Sequence, residues 1–231
     1  MRDCVKVKIC GITNHRDAEF VDGRVDYVGF IVSKFKISPR VLTLKEARSL
    51  AEDIHYSRRV LVVHGYDSKA TLNIASRLEV FEVIQYHHAE KFENLLSLAN
   101  DLKLIGMKVA PVALWSGNGW ISQNPYILAK LPNYEYLLID AIKTGGQRYE
   151  MGLRVPLKVF RKLSACLKKV GAAGGIDPTN VHLVVSTGVY MVDVNSGIER
   201  SPGRKDPVKT LKFLEVVRNA TIKDNYLGRG S

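Results

Sequence analysis

The chain is poor in cysteine, and its cysteines and histidines lack metal-binding spacing. The three cysteines, Cys4, Cys10 and Cys166, are odd in number and far apart, which argues against a disulfide framework. The six histidines form no HxxxH pattern, and the adjacent His87 and His88 would lie on opposite faces of a strand. The sequence therefore predicts reduced thiols and no metal site.

Long apolar runs are also missing. No segment is apolar over the roughly 20 residues that a membrane-spanning helix needs. Met1 is followed directly by a charged residue and then by a strand-like segment, so we expect neither a signal peptide nor a membrane anchor. The expected location is cytoplasmic.

Acidic residues are in deficit, because 34 Lys and Arg stand against 23 Asp and Glu and give a formal net charge of +11. The basic residues are scattered, however, and no RNA- or DNA-binding motif accompanies them. We expect a solvated basic surface, or one that attracts a polyanionic small molecule, and no nucleic-acid partner.

Apolar strand-like segments alternate with amphipathic helix-like segments along the chain. The predicted strands cover residues 5–10, 27–32, 59–64, 82–87, 108–114, 135–140, 169–173 and 189–194. The predicted helices cover residues 14–22, 44–54, 68–78, 91–103, 123–131, 155–167, 178–187 and 206–219. Eight such pairs predict a single-domain α/β fold, the (β/α)8 TIM barrel, over residues 1–220, followed by a polar tail at 221–231.

A doubly wound sheet is the alternative fold. It normally shows a GxGxxG fingerprint after the first strand, and the sequence CGITNHRD lacks one. The barrel is therefore preferred.

Strand periodicity places several chemically active side chains at one end of this barrel. Active sites of such barrels lie at the carboxyl ends of the strands, and alternate residues face inward. Lys8 and Cys10 share the inward face of the first strand, and Asp140 ends the sixth. His87 ends the fourth strand on the same parity, and Asp193 faces inward on the eighth. A thiol, two carboxylates and an imidazole are thus expected to converge.

A thiol and a carboxylic acid can act as a base–acid pair if their surroundings shift the two pKa values in opposite directions. Lys8, one inward position before Cys10, would favour the thiolate. A buried cysteine is more often a small apolar side chain, and an aspartate at a strand end often caps a helix. The strand-end position of Cys10, directly before Gly11, favours the functional interpretation for this thiol. For Asp140 the functional interpretation is also preferred.

The last two strands are followed by loops typical of a phosphate site. AAGGIDPTN contains Gly174 and Gly175 and predicts a short helix after Asp177. DVNSGIERSPG contains Asn195 and Ser196. Barrels commonly bind phosphate through backbone N–H groups in these two loops.

Two further loops carry candidate side chains. Arg40, in the SPR sequence after the second strand, could bind a carboxylate with two hydrogen bonds, although an exposed arginine is the commoner case. WSGNGW, residues 115–120, could form an aromatic wall of the site or pack as an ordinary loop.

Taken together, these motifs resemble the phosphoribosylanthranilate isomerase family of the tryptophan pathway. The matching segments are KICGIT, SPR, LLIDAIKTGG, AAGGIDPTNV and VDVNSGIERSPGRKD, in the family's order from residue 8 to residue 206. The resemblance implies an Amadori rearrangement without metal or cofactor, on a substrate that bears a phosphate and a carboxylate.

The resemblance also implies a role for each matching residue. Cys10 would be the general base and Asp140 the general acid. Arg40 would bind the substrate carboxylate, and Asp193 would line the substrate pocket. His87 is a substrate-binding candidate from its strand-end position, not from a family match. The phosphate would lie on the remaining matching residues, which are Gly174, Gly175, Asn195 and Ser196.

The chain departs from the family's pattern in two places. GGQRYEMGL replaces the usual loop after the sixth strand, and QYHH replaces the usual QLHG at the fourth. The alternative function is a non-catalytic basic barrel that binds phosphate or nucleic acid. Both a monomer and a homodimer are compatible with the sequence.

Overall fold

Eight parallel strands close into a barrel in a computed structural model of the chain, which describes residues 4–36, 38–132, 134–142 and 148–227. The pairing of β1 with both β2 and β9 closes the barrel. Its strands are β1 (Lys6–Cys10), β2 (Tyr27–Ser33), β4 (Arg58–His64), β5 (Val83–His87), β6 (Lys108–Trp115), β7 (Leu137–Ala141), β8 (Val170–Ala172) and β9 (Met191–Val194). The predicted (β/α)8 barrel and all eight of its strands are confirmed.

Three short strands lie outside the barrel. β3 (Val41–Leu42) extends the sheet beside β2, and β10 (Glu199–Ser201) pairs with β11 (Arg204–Lys205) in an antiparallel hairpin. Two 3-10 turns cover Glu150–Gly152 and Ser196–Ile198.

Helices follow the barrel strands along the chain. They are α1 (His15–Val21), α2 (Leu44–Ala51), α3 (Ser68–Ala75), α4 (Phe92–Leu104), α5 (Pro125–Leu128), α6 (Leu157–Cys166), α7 (Val181–Val185) and α8 (Pro207–Leu227). None of the helices in the described part of the chain is long and apolar enough to span a membrane.

The boundaries of α5 and α8 differ from the prediction, as does the start of α7, which is described with the site. α5 is a single turn, because the N–H groups of Lys130 and Leu131 bond three residues back and tighten the chain into a turn. α8 runs through residue 227 instead of ending at 219, so part of the predicted polar tail is helical. Phe213, Val217 and Thr221 form a buried stripe at four-residue spacing, which carries the helix past the expected end.

Apolar residues fill two layers, one inside the barrel and one between the barrel and its helices. Val7 and Ile9 of β1 belong to the outer layer, whereas Cys10 belongs to the inner layer. Tyr136 and Leu138 also lie inside the barrel. The predicted inward and outward parity of β1 and β7 is therefore confirmed.

Polar side chains fill the barrel near the amino ends of its strands. The buried Glu135 accepts hydrogen bonds from the Tyr27 hydroxyl at 2.7 Å and from Arg58, and it pairs with Lys108 Nζ at 3.0 Å. This network packs the lower end of the barrel, so the carboxyl ends of the strands, here called the mouth, are left for a ligand.

Candidate active site

Cys10 ends β1 at the mouth, with only 6% of its surface exposed. It pairs in register with Gly29 of β2. A Cβ at residue 29 would lie 2.9 Å from Cys10 Sγ and 3.2 Å from Lys8 Cε. Gly29 therefore creates the space that the thiol and the Lys8 side chain occupy. Gly29 was not predicted as a site residue, although a glycine at an inward strand position was the available signal.

Lys8 and Asp193 form an ion pair inside the barrel, one layer below the thiol. Lys8 Nζ donates to Asp193 Oδ2 at 2.6 Å, and both side chains are buried. Asp193 Oδ1 is buried without a hydrogen-bond partner among the described residues. Asp193 thus lies deeper than the rim position that the sequence suggested for it.

Burial raises the pKa of the Cys10 thiol above its ordinary value. The positive charges of Lys8 and Lys205 act in the opposite direction, and the carboxylate of Asp193 adds to the increase. The predicted direction of the Lys8 effect is confirmed, because its charge lowers the pKa of the thiol. Desolvation inside the barrel outweighs the nearby cation.

Asp140 lies on the inward face of β7 at the mouth, partly buried. Its Oδ1 accepts a hydrogen bond from the backbone N–H of Ala141 at 2.7 Å. A Cβ at Gly174 would lie 3.3 Å from the same oxygen, so the loop after β8 passes directly beside this carboxylate. Cys10 and Asp140 therefore face the same mouth from β1 and β7.

The loops after β8 and β9, here called the glycine loops, pack against each other. Gly174 and Gly175 both adopt positive φ angles, 94° and 79°. Their backbone N–H groups donate no hydrogen bond to any other residue that the structure describes. A Cβ at Gly197 would lie 2.1 Å from the carbonyl oxygen of Ile176, so only glycine permits this contact.

The helix after the first glycine loop begins later than predicted. Residues 178–180 form a turn, and α7 starts at Val181. Asn180 Oδ1 accepts from the N–H of Asp177 at 2.9 Å, and its Nδ2 donates to the carbonyl of Gly175 at 2.8 Å. The N–H groups of Gly174 and Gly175, which make no hydrogen bond within the described ranges, thus lie in the loop before α7 and not in its first turn.

Arg40 is held at the mouth by a buried carboxylate. Its Nε donates to Glu199 Oε1 at 2.8 Å, its Nη2 bonds the other carboxylate oxygen, and its Nη1 donates to Ser38 Oγ at 3.1 Å. A Cβ at Gly11, whose φ is +73°, would lie 3.0 Å from Arg40 Cδ. Gly11 therefore lets the arginine approach the end of β1.

His87 ends β5 at the mouth, and its ring centroid lies 5.5 Å from that of His64 at the end of β4. The Nδ1 atom of His64 lies 3.0 Å from Ser33 Oγ. His64 was not singled out from the sequence. Its strand-end position on the inward parity was the signal that could have identified it.

The two tryptophans favour the loop-packing interpretation. Trp115 and Trp120 make an edge-to-face contact with centroids 5.2 Å apart, and both pack against the outer apolar layer. Trp115 Nε1 also donates to the Tyr149 hydroxyl at 3.3 Å. Residues 143–147 of the divergent loop lie outside the described residues.

Among the residues with described positions, no group of three or more His, Cys, Asp or Glu side chains could hold a metal ion.

An α/β barrel with a thiol and a carboxylate at its mouth, beside glycine loops after the last two barrel strands, has the architecture of the phosphate-binding barrel enzymes. The family model described as N-(5'-phosphoribosyl)anthranilate (PRA) isomerase matches residues 7–216. The chain belongs to this family.

Similar proteins agree with that assignment. The N-(5'-phosphoribosyl)anthranilate isomerase of Pyrobaculum aerophilum is 38% identical over 92% of this chain and 98% of its own. The enzyme of the same name from Aeropyrum pernix is 37% identical over 91% of this chain and 96% of its own. The solved structure of the Pyrococcus furiosus enzyme is 26% identical with a TM-score of 0.71, and the match covers 93% of this chain and 99% of that one.

Proposed function

We propose that the chain isomerises N-(5'-phosphoribosyl)anthranilate to 1-(2-carboxyphenylamino)-1-deoxy-D-ribulose 5-phosphate in tryptophan biosynthesis. The observation that carries the proposal is the shared mouth of Cys10 and Asp140 beside the glycine loops, in a chain of this family. The reaction is an intramolecular oxidoreduction, because C1' of the sugar is reduced while C2' is oxidised.

Asp140 is the proposed general acid. It protonates the ring oxygen of the ribose, and the C1'–oxygen bond breaks to give an open-chain Schiff base. Its attachment to a barrel strand supports this role, because a proton donor must be held within hydrogen-bond reach of the atom it protonates. The backbone hydrogen bond from Ala141 to Oδ1 holds the carboxyl group in one orientation at the end of β7, which supports the role.

Cys10 is the proposed general base. Its thiolate removes the proton from C2', and the electron pair moves through the C1'–C2' bond to the Schiff-base nitrogen. The resulting enolamine tautomerises to the ketone, so protons and electrons balance without a co-reactant. Burial supports the role in one respect, because a thiolate of raised pKa is a stronger base once formed.

The anionic groups of the substrate are proposed to bind on either side of these two residues. The phosphate binds the N–H groups of Gly174 and Gly175, together with Asn195 and Ser196. The carboxylate binds Arg40, with His87 beside it. The positive φ angles of the two glycines support the phosphate position, as do their N–H groups, which have no acceptor among the residues that the structure describes. Such concave backbone segments bind anions.

Asp193 is proposed to line the floor of the pocket. Its buried Oδ1, which has no partner among the described residues, supports this position, since a buried acceptor is stabilised when a ligand donates to it. Lys8, by contrast, is engaged with both Asp193 and Cys10.

The direct test is turnover of freshly generated phosphoribosylanthranilate, followed by loss of its fluorescence and by mass identification of the product. We expect loss far faster than spontaneous decay and accumulation of an isomer of unchanged mass. Decay at the spontaneous rate, together with salt-sensitive retention of phosphate or nucleic acid, would instead establish the non-catalytic basic barrel.

The pH dependence of kcat/KM tests the assignment of the base. Because burial raises the pKa of Cys10, only a small fraction of the free enzyme carries the thiolate at pH 7. We therefore expect kcat/KM to increase by up to about tenfold per pH unit above neutrality, until the thiol is ionised. A rate that is flat between pH 7 and 9 would contradict Cys10 as the base, provided that chemistry limits the rate.

Gly197→Ala tests the phosphate position. The added methyl group collides with the carbonyl of Ile176, so it must push the glycine loops apart. We expect the Kd for inorganic phosphate and the KM for substrate to increase about tenfold, with a loss of about 1–3 kcal/mol in stability. Gly119→Ala is the matched control, since no atom lies within 4 Å of a Cβ there. Unchanged phosphate affinity in a folded Gly197→Ala variant would contradict the assignment of the phosphate site to the glycine loops.

Three expectations stay predictions. They are the cytoplasmic location, the absence of a metal, cofactor or nucleic-acid partner, and an oligomeric state of either monomer or homodimer. Size-exclusion chromatography with light scattering measures the oligomeric state directly.

A further inference from the structure

A small hairpin beside the mouth places two buried, oppositely charged side chains next to each other. Glu199 of β10 and Lys205 of β11 are register partners in this antiparallel pair, and Lys205 Nζ lies 3.0 Å from Glu199 Oε1. The backbone N–H of Lys205 also donates to Asp17 Oδ2 at 2.8 Å, which attaches the hairpin to the start of α1. Lys205 is 1% exposed, so the pair is shielded from solvent.

Glu199 connects this hairpin to Arg40. One carboxylate oxygen accepts from Arg40 Nε and from Lys205, and the other accepts from Arg40 Nη2. Burial disfavours the charged form of Glu199, but the hydrogen bond from Arg40 and the charge of Lys205 outweigh it and lower the pKa of the carboxyl. The two-point contact fixes the plane of the guanidinium, since Nε and Nη2 lie on one edge of it.

Lys205 connects the same hairpin to Asn195. Its ammonium donates to the Asn195 carbonyl oxygen at 3.2 Å and to Asn195 Oδ1 at 2.9 Å, in addition to Glu199. Three acceptors use all three ammonium protons. Because Oδ1 is held by Lys205, the Nδ2 donor of the amide must point away from it.

We propose that Glu199 and Lys205 are positioning residues that hold the Arg40 and Asn195 side chains in a fixed arrangement beside Gly11, at the end of β1. The pair acts through residues assigned to the two anionic ends of the substrate, and the inference rests on that proposed function. A buried, fully hydrogen-bonded charged pair adds little to the free energy of folding, because desolvation offsets the attraction, but it fixes the positions of the side chains that it contacts. The hairpin would thus set the distance between the carboxylate and phosphate sites.

Glu199→Gln and Lys205→Met test this with separate probes for each end. Glu199→Gln retains the size of the side chain but loses the charge, and we expect the Kd for anthranilate to increase about tenfold. Lys205→Met is expected to raise the Kd for inorganic phosphate by a similar factor of about ten. In both variants the KM for substrate should increase more than kcat falls. Glu82→Gln is the control, because Glu82 pairs with Arg59 at 2.9 Å at the far end of the barrel.

A double-mutant cycle separates positioning from simple stabilisation. In an Arg40→Met background, Glu199→Gln should no longer change the affinity for anthranilate, because its effect passes through the guanidinium. Unchanged KM and unchanged Kd values in folded variants, with only a lower melting temperature, would overturn the inference. If Lys205→Met does not fold, the inference is tested by Glu199→Gln and by the double-mutant cycle with Arg40→Met. Failure of the wild type to turn over substrate would refute the proposed function instead, and the two binding measurements would still test the pair.

Discussion

Replacing Cys10 by Ser is expected to lower kcat by about 10²–10⁴-fold, with a small change in KM. Serine fits the space that Gly29 leaves beside β1, so the fold and the substrate pocket are retained. A hydroxyl is a far weaker acid than a thiol, however, and supplies no anionic base near neutral pH. Steady-state kinetics on the fluorescent substrate measure kcat and KM separately. Cys166→Ser, at an exposed cysteine, should behave as the wild type.

Asp140→Asn is expected to produce a loss of the same size, about 10²–10⁴-fold in kcat. The amide oxygen can still accept the N–H of Ala141, so the local backbone is preserved while the acidic proton is removed. Ring opening then becomes the slow step. Near-normal rates in both the Cys10 and the Asp140 variants would leave the family assignment intact and refute the acid–base pair.

Much of this site could be predicted because a barrel converts sequence parity directly into position. Once the strands near residues 5–10 and 135–140 were recognised, the two-residue period placed Cys10 and Asp140 inside the same end. The glycine loops followed from strand count in the same way. These inferences use only local pattern and the closure of the barrel. The structure confirms the barrel and the inward position of Cys10, and the roles of the site residues stay predictions.

The electrostatic state of the site could not be predicted in this way. Sequence shows that Lys8 lies two residues before Cys10, but not that the interior desolvates the thiol enough to raise its pKa. Arg40 is likewise paired with a carboxylate 159 residues away, through a hairpin that no periodic pattern indicates. Burial and long-range pairing depend on the assembled barrel, so they lie beyond local pattern.

Helix ends were the least predictable part of the fold for a related reason. α8 continues because Thr221 is buried on the same stripe as Phe213 and Val217, and α7 starts late because Asn180 bonds to the backbone of the first glycine loop. In both cases a tertiary contact overrides the local signal. For α8 that signal was a polar tail, and for α7 it was an Asp-Pro helix start.

The buried pair of Lys8 and Asp193 leads to the largest expected change in stability. Lys8→Met leaves Asp193 inside the barrel without its cation, and removal of one partner of a buried ion pair costs about 3–5 kcal/mol. Chemical denaturation at pH 7, compared with the wild type, measures the loss. The double variant Lys8→Met with Asp193→Leu should recover a large part of it, because no unpaired charge then stays buried.

The pH dependence of stability in two single variants, Lys8→Met and Asp193→Asn, tests whether Lys8 and Asp193 are charged inside the barrel. Burial already raises the pKa of Asp193, and loss of Lys8 removes the main influence that lowers it. Folding of Lys8→Met then takes up a proton, so its stability should fall as pH rises above about 4 toward neutrality. Asp193→Asn removes the carboxylate that pairs with Lys8. The pKa of Lys8 in the folded variant should therefore drop below its value in the unfolded chain. Folding of that variant releases a proton, so its stability should fall as pH decreases from alkaline values. Parallel slopes in the two variants would show that the pair is not charged inside the barrel, whereas opposite slopes identify it as an ion pair.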